Sequence, residues 1–309
     1  MLMNKRILVT GANGFLGSNI IYELLANNTP VTALVREKSN IDYLKSIKCY
    51  NIIQTDNYLD PIVIRKLSMS KPEYVVHCAY TNNQLQDTKN LISILELAKN
   101  INCKGFITMG SYQEYGILEK KLSEDTTCIP KNSFARSKQA FYMLTKEICS
   151  SLGIKHIHLR LGIPYSSKKD SDFYFNDVIK RIYKDEFVVL KNIYDEQDYI
   201  HTSDIARGIT SLINNNLEGV YNLSFGQGVE IKSILKMIHE KLNKKFIFDE
   251  SSSSEKNEFS LNINKIYNNS NWKPSISIWD GISLLIQEVK FQNNATLEQF
   301  TNRIRSLYK

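Results

Sequence analysis

Glycine, proline and cysteine are all scarce in this sequence. The 309 residues include 13 Gly, 6 Pro and 5 Cys, and 42% of the chain is apolar against 23% charged. This composition excludes collagen-like, low-complexity and wholly disordered chains. The cysteines are widely spaced and include no CxxC pair. We therefore expect neither a disulfide framework nor a metal site, and the reduced thiols indicate the cytoplasm.

Long hydrophobic runs and dense runs of one charge are also missing. The apolar residues Ile7–Val9 near the N-terminus are too few for a signal peptide or a membrane span. Lys and Arg total 39 against 32 for Asp and Glu, a net charge of +7, but the basic residues are scattered. We expect no membrane partner and no nucleic-acid partner. The excess charge suits a cleft for a phosphorylated small molecule.

Short apolar runs alternate with helical patterns in the first half of the chain. The runs that predict strands are Arg6–Thr10, Val31–Val35, Tyr74–His77, Gly105–Met109 and His156–Leu161. Apolar residues at helical spacing predict helices at Ser18–Asn27, Asn90–Lys99, Phe134–Ser151 and Phe173–Lys184. This alternation predicts an α/β fold with a Rossmann-type, doubly wound parallel sheet.

The alternation loosens beyond about residue 165. Two polar loops, Ser166–Asp172 and Glu250–Asn257, separate shorter elements. We predict a Rossmann domain over residues 1–165, to which residues 198–225 return. Residues 166–197 and 226–295 are predicted to form a smaller α/β substrate-binding lobe, and residues 296–309 a C-terminal helix.

A glycine-rich turn lies between the first strand and the first helix. Residues Thr10–Gly17 read TGANGFLG. In such a turn, backbone N–H groups and the helix dipole favour a pyrophosphate, and the glycines allow it to approach closely. The turn predicts a dinucleotide cofactor held by Gly11, Asn13, Gly14, Phe15 and Leu16.

The end of the second strand distinguishes the two common dinucleotides. An acidic residue there accepts a hydrogen bond from the ribose 2′-hydroxyl, whereas a basic residue pairs with a 2′-phosphate. Arg36 lies there, so we predict NADP(H); the alternative is a solvated charged turn with Glu37 and Lys38. Asp56 is predicted either to reach the adenine edge or to cap a turn.

Five further segments occur in the order of a known family. They are Val76–Ala79 (VHCA, like VIHxA), Gly110–Gly116 (GSYQEYG, like SSxxVYG), Asp198–Asp204 (DYIHTSD, like RDFIHVxD), Tyr221–Gly228 (YNLSFGQG, like YNIGxGxG) and Asn271–Pro274 with Asp280–Ile282 (NWKP and DGI, like GWKP and EGI). Together with the glycine turn, these segments resemble the extended short-chain dehydrogenase/reductase family, specifically its nucleotide-sugar epimerases, dehydratases and reductases. The resemblance covers nearly the whole chain.

The resemblance implies a catalytic site in which one group is missing. In the family, a YxxxK pair one helical turn apart performs the proton chemistry, and the lysine lowers the tyrosine pKa and holds the nicotinamide ribose. Lys138 matches the lysine, Ser111 matches the residue that hydrogen-bonds the reacting carbonyl, and Phe134 stands at the tyrosine position. The further cofactor contacts that the resemblance implies are Asn57, Ala79, Tyr80 and Lys138.

Three explanations of Phe134 stay open. They are a Tyr→Phe change, which fits the neighbouring residues most simply, a natural enzyme with another acid, and a non-catalytic dinucleotide-sensing protein. With phenylalanine at this position, the chain is expected to bind its ligands well but to catalyse the reaction slowly. The hydroxyls that could substitute are those of Tyr80, Tyr112, Tyr115 and Tyr165.

The two residues after Ser111 narrow the reaction that the resemblance implies. The family's 4,6-dehydratases carry Asp-Glu there, and its GDP-fucose-type epimerase-reductases carry a cysteine at the second position, whereas this chain has Tyr112 and Gln113. The reaction that remains is transfer of a hydride to or from C4 of the sugar. Arg36 favours reduction of a nucleotide-linked 4-keto-6-deoxyhexose by NADPH over a 4-epimerase with bound NAD. Such reductases serve deoxysugar biosynthesis for bacterial surface polysaccharide.

The resemblance also implies partners. A nucleoside diphosphate sugar is expected between the sheet edge and the second lobe, with predicted contacts at Ser111, Tyr112, Ile163, Lys180 and Gln197, and with Asp198 as a further candidate. Lys180 shares a helix with Arg181 and Lys184, for which a solvated basic face is the alternative. A homodimer is expected to form through the helices at Asn90–Asn100 and Phe134–Ser150. The base and the sugar are left open.

Overall fold

The computed structural model describes residues 5–166, 174–186, 188, 190, 192–244 and 256–292. The strands are β1 (Ile7–Thr10), β2 (Val31–Val35), β3 (Ile52–Gln54), β4 (Tyr74–His77), β5 (Gly105–Met109), β6 (Lys155–Leu161), β7 (Ile163–Tyr165), β8 (Glu196–His201), β9 (Gly219–Leu223) and β10 (Gly228–Glu230). The helices are α1 (Phe15–Ala26), α2 (Asp42–Ser46), α3 (Pro61–Ser70), α4 (Gln84–Asn100), α5 (Ser133–Leu152), α6 (Tyr174–Tyr183), α7 (Thr202–Asn214), α8 (Ile231–Leu242), α9 (Asn264–Ser270) and α10 (Ile278–Gln292).

Seven strands form a parallel sheet in the order β3-β2-β1-β4-β5-β6-β9. The direction of winding reverses between β1 and β4, which creates a crevice at the carboxyl ends of these strands. The predicted Rossmann-type α/β fold is therefore confirmed. The predicted strands at β2, β4 and β5 agree with the structure at both ends.

Both faces of this sheet are covered, which explains why its central strands are continuous apolar runs. Side chains of β1 alternate: Ile7 and Val9 enter the core that includes α1 and α7, whereas Leu8 enters the core beneath α3, α4 and α5. Burial on both faces thus selects apolar residues at every position of these strands.

A second, three-stranded sheet has the order β10-β8-β7, with β7 parallel and β10 antiparallel to β8. It shares a separate apolar core with α6, α8 and α10. Helix α9 lies within the range predicted for the second lobe, but Ile266 and Trp272 pack into the core of the large sheet. The exact domain division therefore stays a prediction, and residues 296–309 lie outside the described part.

Residues 257–262, here called the bridging segment, join the loop after β5 to the second sheet. On one side, Leu122 N–H donates to Ser260 O at 2.9 Å and Asn262 N–H to Leu122 O at 2.8 Å. On the other side, Phe259 N–H donates to Glu196 O at 3.1 Å. Four side chains add ion pairs of 2.7–3.1 Å across the same place, namely Lys120, Glu196, Lys256 and Glu258.

No helix in the described ranges is both long enough and apolar enough to cross a membrane.

Candidate active site

The glycine turn packs directly on the end of β4. Gly11 has φ +60°, and a Cβ on it would lie 2.6 Å from the backbone nitrogen of Ala79. A Cβ on Gly17 would collide with the carbonyl of Gly11. Both positions therefore need glycine so that strand, turn and helix can approach.

The first turn of α1 is suited to an anion. Its N-cap is Gly14, which has no side chain to cap the helix, and the turn contains no acidic residue. The positive end of the helix dipole and the first N–H groups thus face the crevice without a competing carboxylate. These features fit the pyrophosphate of a dinucleotide.

The predicted ribose and adenine contacts lie at the ends of β2 and β3. Arg36 follows β2 and is exposed, as are Glu37, Asp56 and Asn57. The Asp56 carboxylate accepts a hydrogen bond from Glu37 N–H at 3.3 Å, which is the capping arrangement that the sequence left open. An adenine contact by Asp56 stays a prediction.

Ser111 follows β5 and begins a short 3₁₀ helix, Tyr112–Tyr115. Its hydroxyl accepts from Gln113 N–H at 3.2 Å, while the Glu114 carboxylate accepts from Ser111 N–H at 2.8 Å. This reciprocal capping fixes the backbone at Ser111. The Gln113 side chain also accepts from the amide of Asn132, the N-cap of α5, at 2.8 Å.

Glu114 is a completely buried acid that the sequence reasoning missed. Its carboxylate lies 3.0 Å from His158 Nε2 and 3.5 Å from Arg160 Nε. Burial raises the pKa of Glu114, but His158, Ser111 N–H and Arg160 more than offset this, so the pKa lies below its usual value. A Cβ on Gly110 would collide with both the carboxylate and the His158 ring. The sequence held a signal for this buried acid, because Gly110 and Glu114 depart together from the family pattern SSxxVYG.

Phe134 and Lys138 lie on one face of α5, beside the end of β4. The Lys138 ammonium nitrogen is 4.0 Å from the centre of the Tyr80 ring and 5.5 Å from that of Phe134. The two rings meet edge to face, with their centres 5.6 Å apart. The geometry therefore brings Phe134, Lys138 and Tyr80 together; their roles stay predictions.

The Lys138 amine also faces a small cavity at the carboxyl ends of β4 and β5. Its lining includes His77, Ala79, Thr108 and His158. Burial lowers the pKa of Lys138 to about 8, although the Glu114 charge acts in the opposite direction. The Lys138 ammonium is thus a stronger acid than that of an ordinary lysine.

Three of the four candidate hydroxyls donate to partners within the protein; that of Tyr80 donates to Asn82 Oδ1 at 3.4 Å. Tyr115 Oη donates to Asn222 Oδ1 at 2.6 Å, and Tyr165 Oη donates to Ser277 O at 2.9 Å; both residues are fully buried. Tyr112 stacks on Phe259 with ring centres 4.1 Å apart. Tyr80 is the candidate whose ring contacts Lys138.

The predicted substrate contacts beyond Ser111 and Tyr112 lie on elements of the second sheet and its cover. Ile163 is in β7, Gln197 is in β8 and accepts from Tyr199 Oη at 2.9 Å, and Lys180 is on α6. Their roles stay predictions. Asp198 is a correction: it is fully buried and accepts from Gly226 N–H and Leu261 N–H, so it supports the backbone.

Comparison with known proteins agrees with this fold. The model of the NAD dependent epimerase/dehydratase family matches residues 7–224. A dTDP-4-dehydro-6-deoxyglucose reductase from Escherichia coli is 26% identical over 92% of this chain and 97% of its own. A GDP-6-deoxy-D-talose 4-dehydrogenase from Aggregatibacter actinomycetemcomitans is 27% identical over 76% and 79%. The UDP-glucose 4-epimerase of Thermus thermophilus, solved with NAD, is 22% identical, with a TM-score of 0.78 over 92% and 99% of the chains.

The close approach at Gly11 generates a test. We expect Gly11→Ala to abolish dinucleotide binding and to destabilise the protein, because the new Cβ meets the backbone of Ala79. Gly153→Ala is the matched control, because Gly153 has φ +67° but open space around it. Its left-handed backbone alone should lower the free energy of unfolding, by about 1–2 kcal/mol. Calorimetric binding of NADPH and urea unfolding measure both effects. Equal behaviour of the two variants would contradict the packing argument.

Proposed function

Because the chain belongs to the NAD dependent epimerase/dehydratase family, we propose that it is an NADPH-dependent reductase of a nucleotide-linked 4-keto-6-deoxyhexose. The observation that carries this proposal is the position of the Lys138 amine, which faces the carboxyl ends of β4 and β5 beside the glycine turn. Ligands of open α/β sheets bind at this crevice.

The residues around the crevice suit NADP(H). The pyrophosphate would lie on Gly11, Asn13, Gly14, Phe15 and Leu16, and the 2′-phosphate on Arg36. Asp56 and Asn57 would border the adenine, and Ala79, Tyr80 and Lys138 the nicotinamide ribose. When bound, this cofactor supplies the hydride for C4.

The substrate would lie across Ser111, whose hydroxyl donates a hydrogen bond to the reacting carbonyl oxygen and polarises it. Ile163, Lys180 and Gln197 would border the nucleoside diphosphate. Tyr112 and Gln113 offer neither carboxyl nor thiol, which disfavours dehydration and epimerisation at C3 or C5. The names of the two curated relatives, both acting at C4 of a 6-deoxy sugar, support this substrate class.

We further propose that the chain works in deoxysugar biosynthesis for bacterial surface polysaccharide, in the cytoplasm, where its five free thiols would stay reduced. Phe134 removes the acidic hydroxyl that the family pattern places beside Lys138. Turnover is therefore slow, while the binding surfaces are retained.

The missing hydroxyl can be restored. Phe134→Tyr should raise kcat for NADPH-dependent reduction of a nucleotide-linked 4-keto-6-deoxyhexose by about 10²–10⁴, the usual contribution of a general acid. The decrease in NADPH absorbance measures the rate. Phe291→Tyr, which makes the same change on α10, is the control and should give no gain. Tight substrate binding without any gain from Phe134→Tyr would argue for a non-catalytic dinucleotide sensor.

Cofactor preference can be tested at the end of β2. Arg36→Ala should weaken NADPH binding by about 10–100-fold, as expected for the loss of a charged hydrogen bond, and should leave NADH binding unchanged. Lys38→Ala, two residues further along the same turn, should have little effect. Fluorescence titration with both cofactors measures the difference. Protein that purifies with stoichiometric NAD would instead favour a 4-epimerase.

We also propose a homodimer through α4 and α5. These helices pack side by side, and Leu85, Ile92 and Met143 on them are 68%, 46% and 58% exposed. A two-fold axis would pair this surface with its copy. Met143→Asp with Ile92→Asp should give a monomer in sedimentation at micromolar concentration, whereas Ile62→Asp on α3 should not. A monomeric mass of the unaltered chain would refute the dimer.

A further inference from the structure

Each of the four side chains in the 3₁₀ helix that follows Ser111 contacts a different part of the molecule. The contacted elements are the bridging segment for Tyr112, the N-cap of α5 for Gln113, β6 for Glu114 and β9 for Tyr115. A single 3₁₀ turn has few hydrogen bonds of its own, and their geometry is poor. The shape of this turn, and with it the position of Ser111 at the N-cap, therefore depends on these tertiary contacts.

The contact of Tyr112 joins this turn to the second sheet. Its ring lies nearly parallel to that of Phe259, with the ring centres 4.1 Å apart and 9° between the planes. The other three contacts lead to strands of the large sheet or to α5, which covers it. Phe259 thus connects the residue next to Ser111 with β8, the strand that carries the predicted substrate contact Gln197.

The second sheet holds the backbone of Phe259 on two sides. The Phe259 N–H donates to Glu196 O on β8 at 3.1 Å. Its carbonyl oxygen lies close to Gly228 on β10, where a Cβ would be 3.1 Å from that oxygen. The side chain of Phe259 is buried. Its ring is therefore a fixed part of the second sheet that reaches across to the turn that carries Ser111.

A small apolar cluster surrounds the stacked rings. Tyr112 packs against a cluster formed by Tyr115, Leu122 and Leu261, which are all buried. Leu261 belongs to the bridging segment, and its N–H donates to the Asp198 carboxylate at 2.9 Å. The turn and the bridging segment thus share one core, so that a displacement of the segment would carry the turn with it.

We propose that Phe259 is a positioning residue for the reduction, because its stack on Tyr112 fixes the Ser111 hydroxyl relative to a substrate held on the second sheet. This inference rests on the proposed function, in which Ser111 polarises the reacting carbonyl. Ser111 Oγ accepts from Gln113 N–H at 3.2 Å, which leaves the hydroxyl proton for the substrate. A misplacement of about 1 Å in such a group can lower the rate by about 10². Loss of the stack should therefore lower the rate of reduction.

The first experiment measures the Ser111 cap without cofactor or substrate. Hydrogen exchange of the Gln113 N–H, which donates to Ser111 Oγ, reports how often the cap opens. Phe259→Leu should speed this exchange by about 10-fold, as expected for the loss of one aromatic stack. Phe175→Leu makes the same change in the apolar core that α6 shares with the second sheet, and it should leave the exchange of Gln113 unchanged. Equal exchange in Phe259→Leu and the unaltered chain would overturn the proposal.

The second experiment measures reduction of the 4-keto sugar in the Phe134→Tyr background, where turnover should be fast. Phe259→Leu should lower kcat by about 10–100-fold. The Kd for NADPH should stay the same, because none of the predicted cofactor contacts lies in the bridging segment or the 3₁₀ turn. Phe259→Tyr keeps an aromatic ring on Tyr112 and should retain most of the rate, whereas Phe175→Leu should lose stability in urea but keep kcat.

The outcomes separate this inference from the proposed function. An equal fall in kcat in Phe259→Leu and Phe175→Leu would indicate a general loss of packing and would overturn the inference. Faster exchange of Gln113 with an unchanged kcat would refute Phe259 as a positioning residue and would leave the reductase function intact. Absence of reduction even by Phe134→Tyr would refute the proposed function, and the inference with it.

Discussion

The buried carboxylate of Glu114 is the constraint around which the site is arranged. A charge that is shielded from water must be paired and hydrogen-bonded, and removing one partner of such a pair typically costs about 3–5 kcal/mol. Glu114 meets this demand through Ser111 N–H, His158 and Arg160, and through the space left by Gly110. The burial of this one acid therefore constrains which residues can stand on β6, at the end of β5 and in the turn that carries Ser111.

The same acid links the stability of the sheet to the chemistry of the crevice. β5 and β6 are neighbouring strands in the interior of the sheet, and the Thr108 hydroxyl joins His156 and His158 between them at 2.8 Å. Because this polar network is enclosed, its members hold each other in one arrangement. Through Glu114, which accepts the Ser111 N–H, this network also fixes the backbone at Ser111.

Much of the large sheet could be predicted because its strands are buried on both faces and read as unbroken apolar runs; β2, β4 and β5 are examples. β7 and β10, of three residues each, carry no such signal, since they are short and half-buried. The resemblance to the family pattern pointed to Ser111, Phe134 and Lys138. Glu114 escaped because a buried acid looks like a surface acid in a sequence. Tyr115 and Asp198 were named as candidates for other roles, because only tertiary packing reveals their structural partners.

The bridging segment has a consequence for how this molecule takes up ligands. Its backbone is hydrogen-bonded to the loop after β5 on one side and to β8 on the other, and four ion-paired side chains reinforce the junction. A hinge between the two sheets would have to break these bonds. We therefore expect the cleft to be formed before a ligand binds, so that little of the binding free energy is spent on moving the two sheets together.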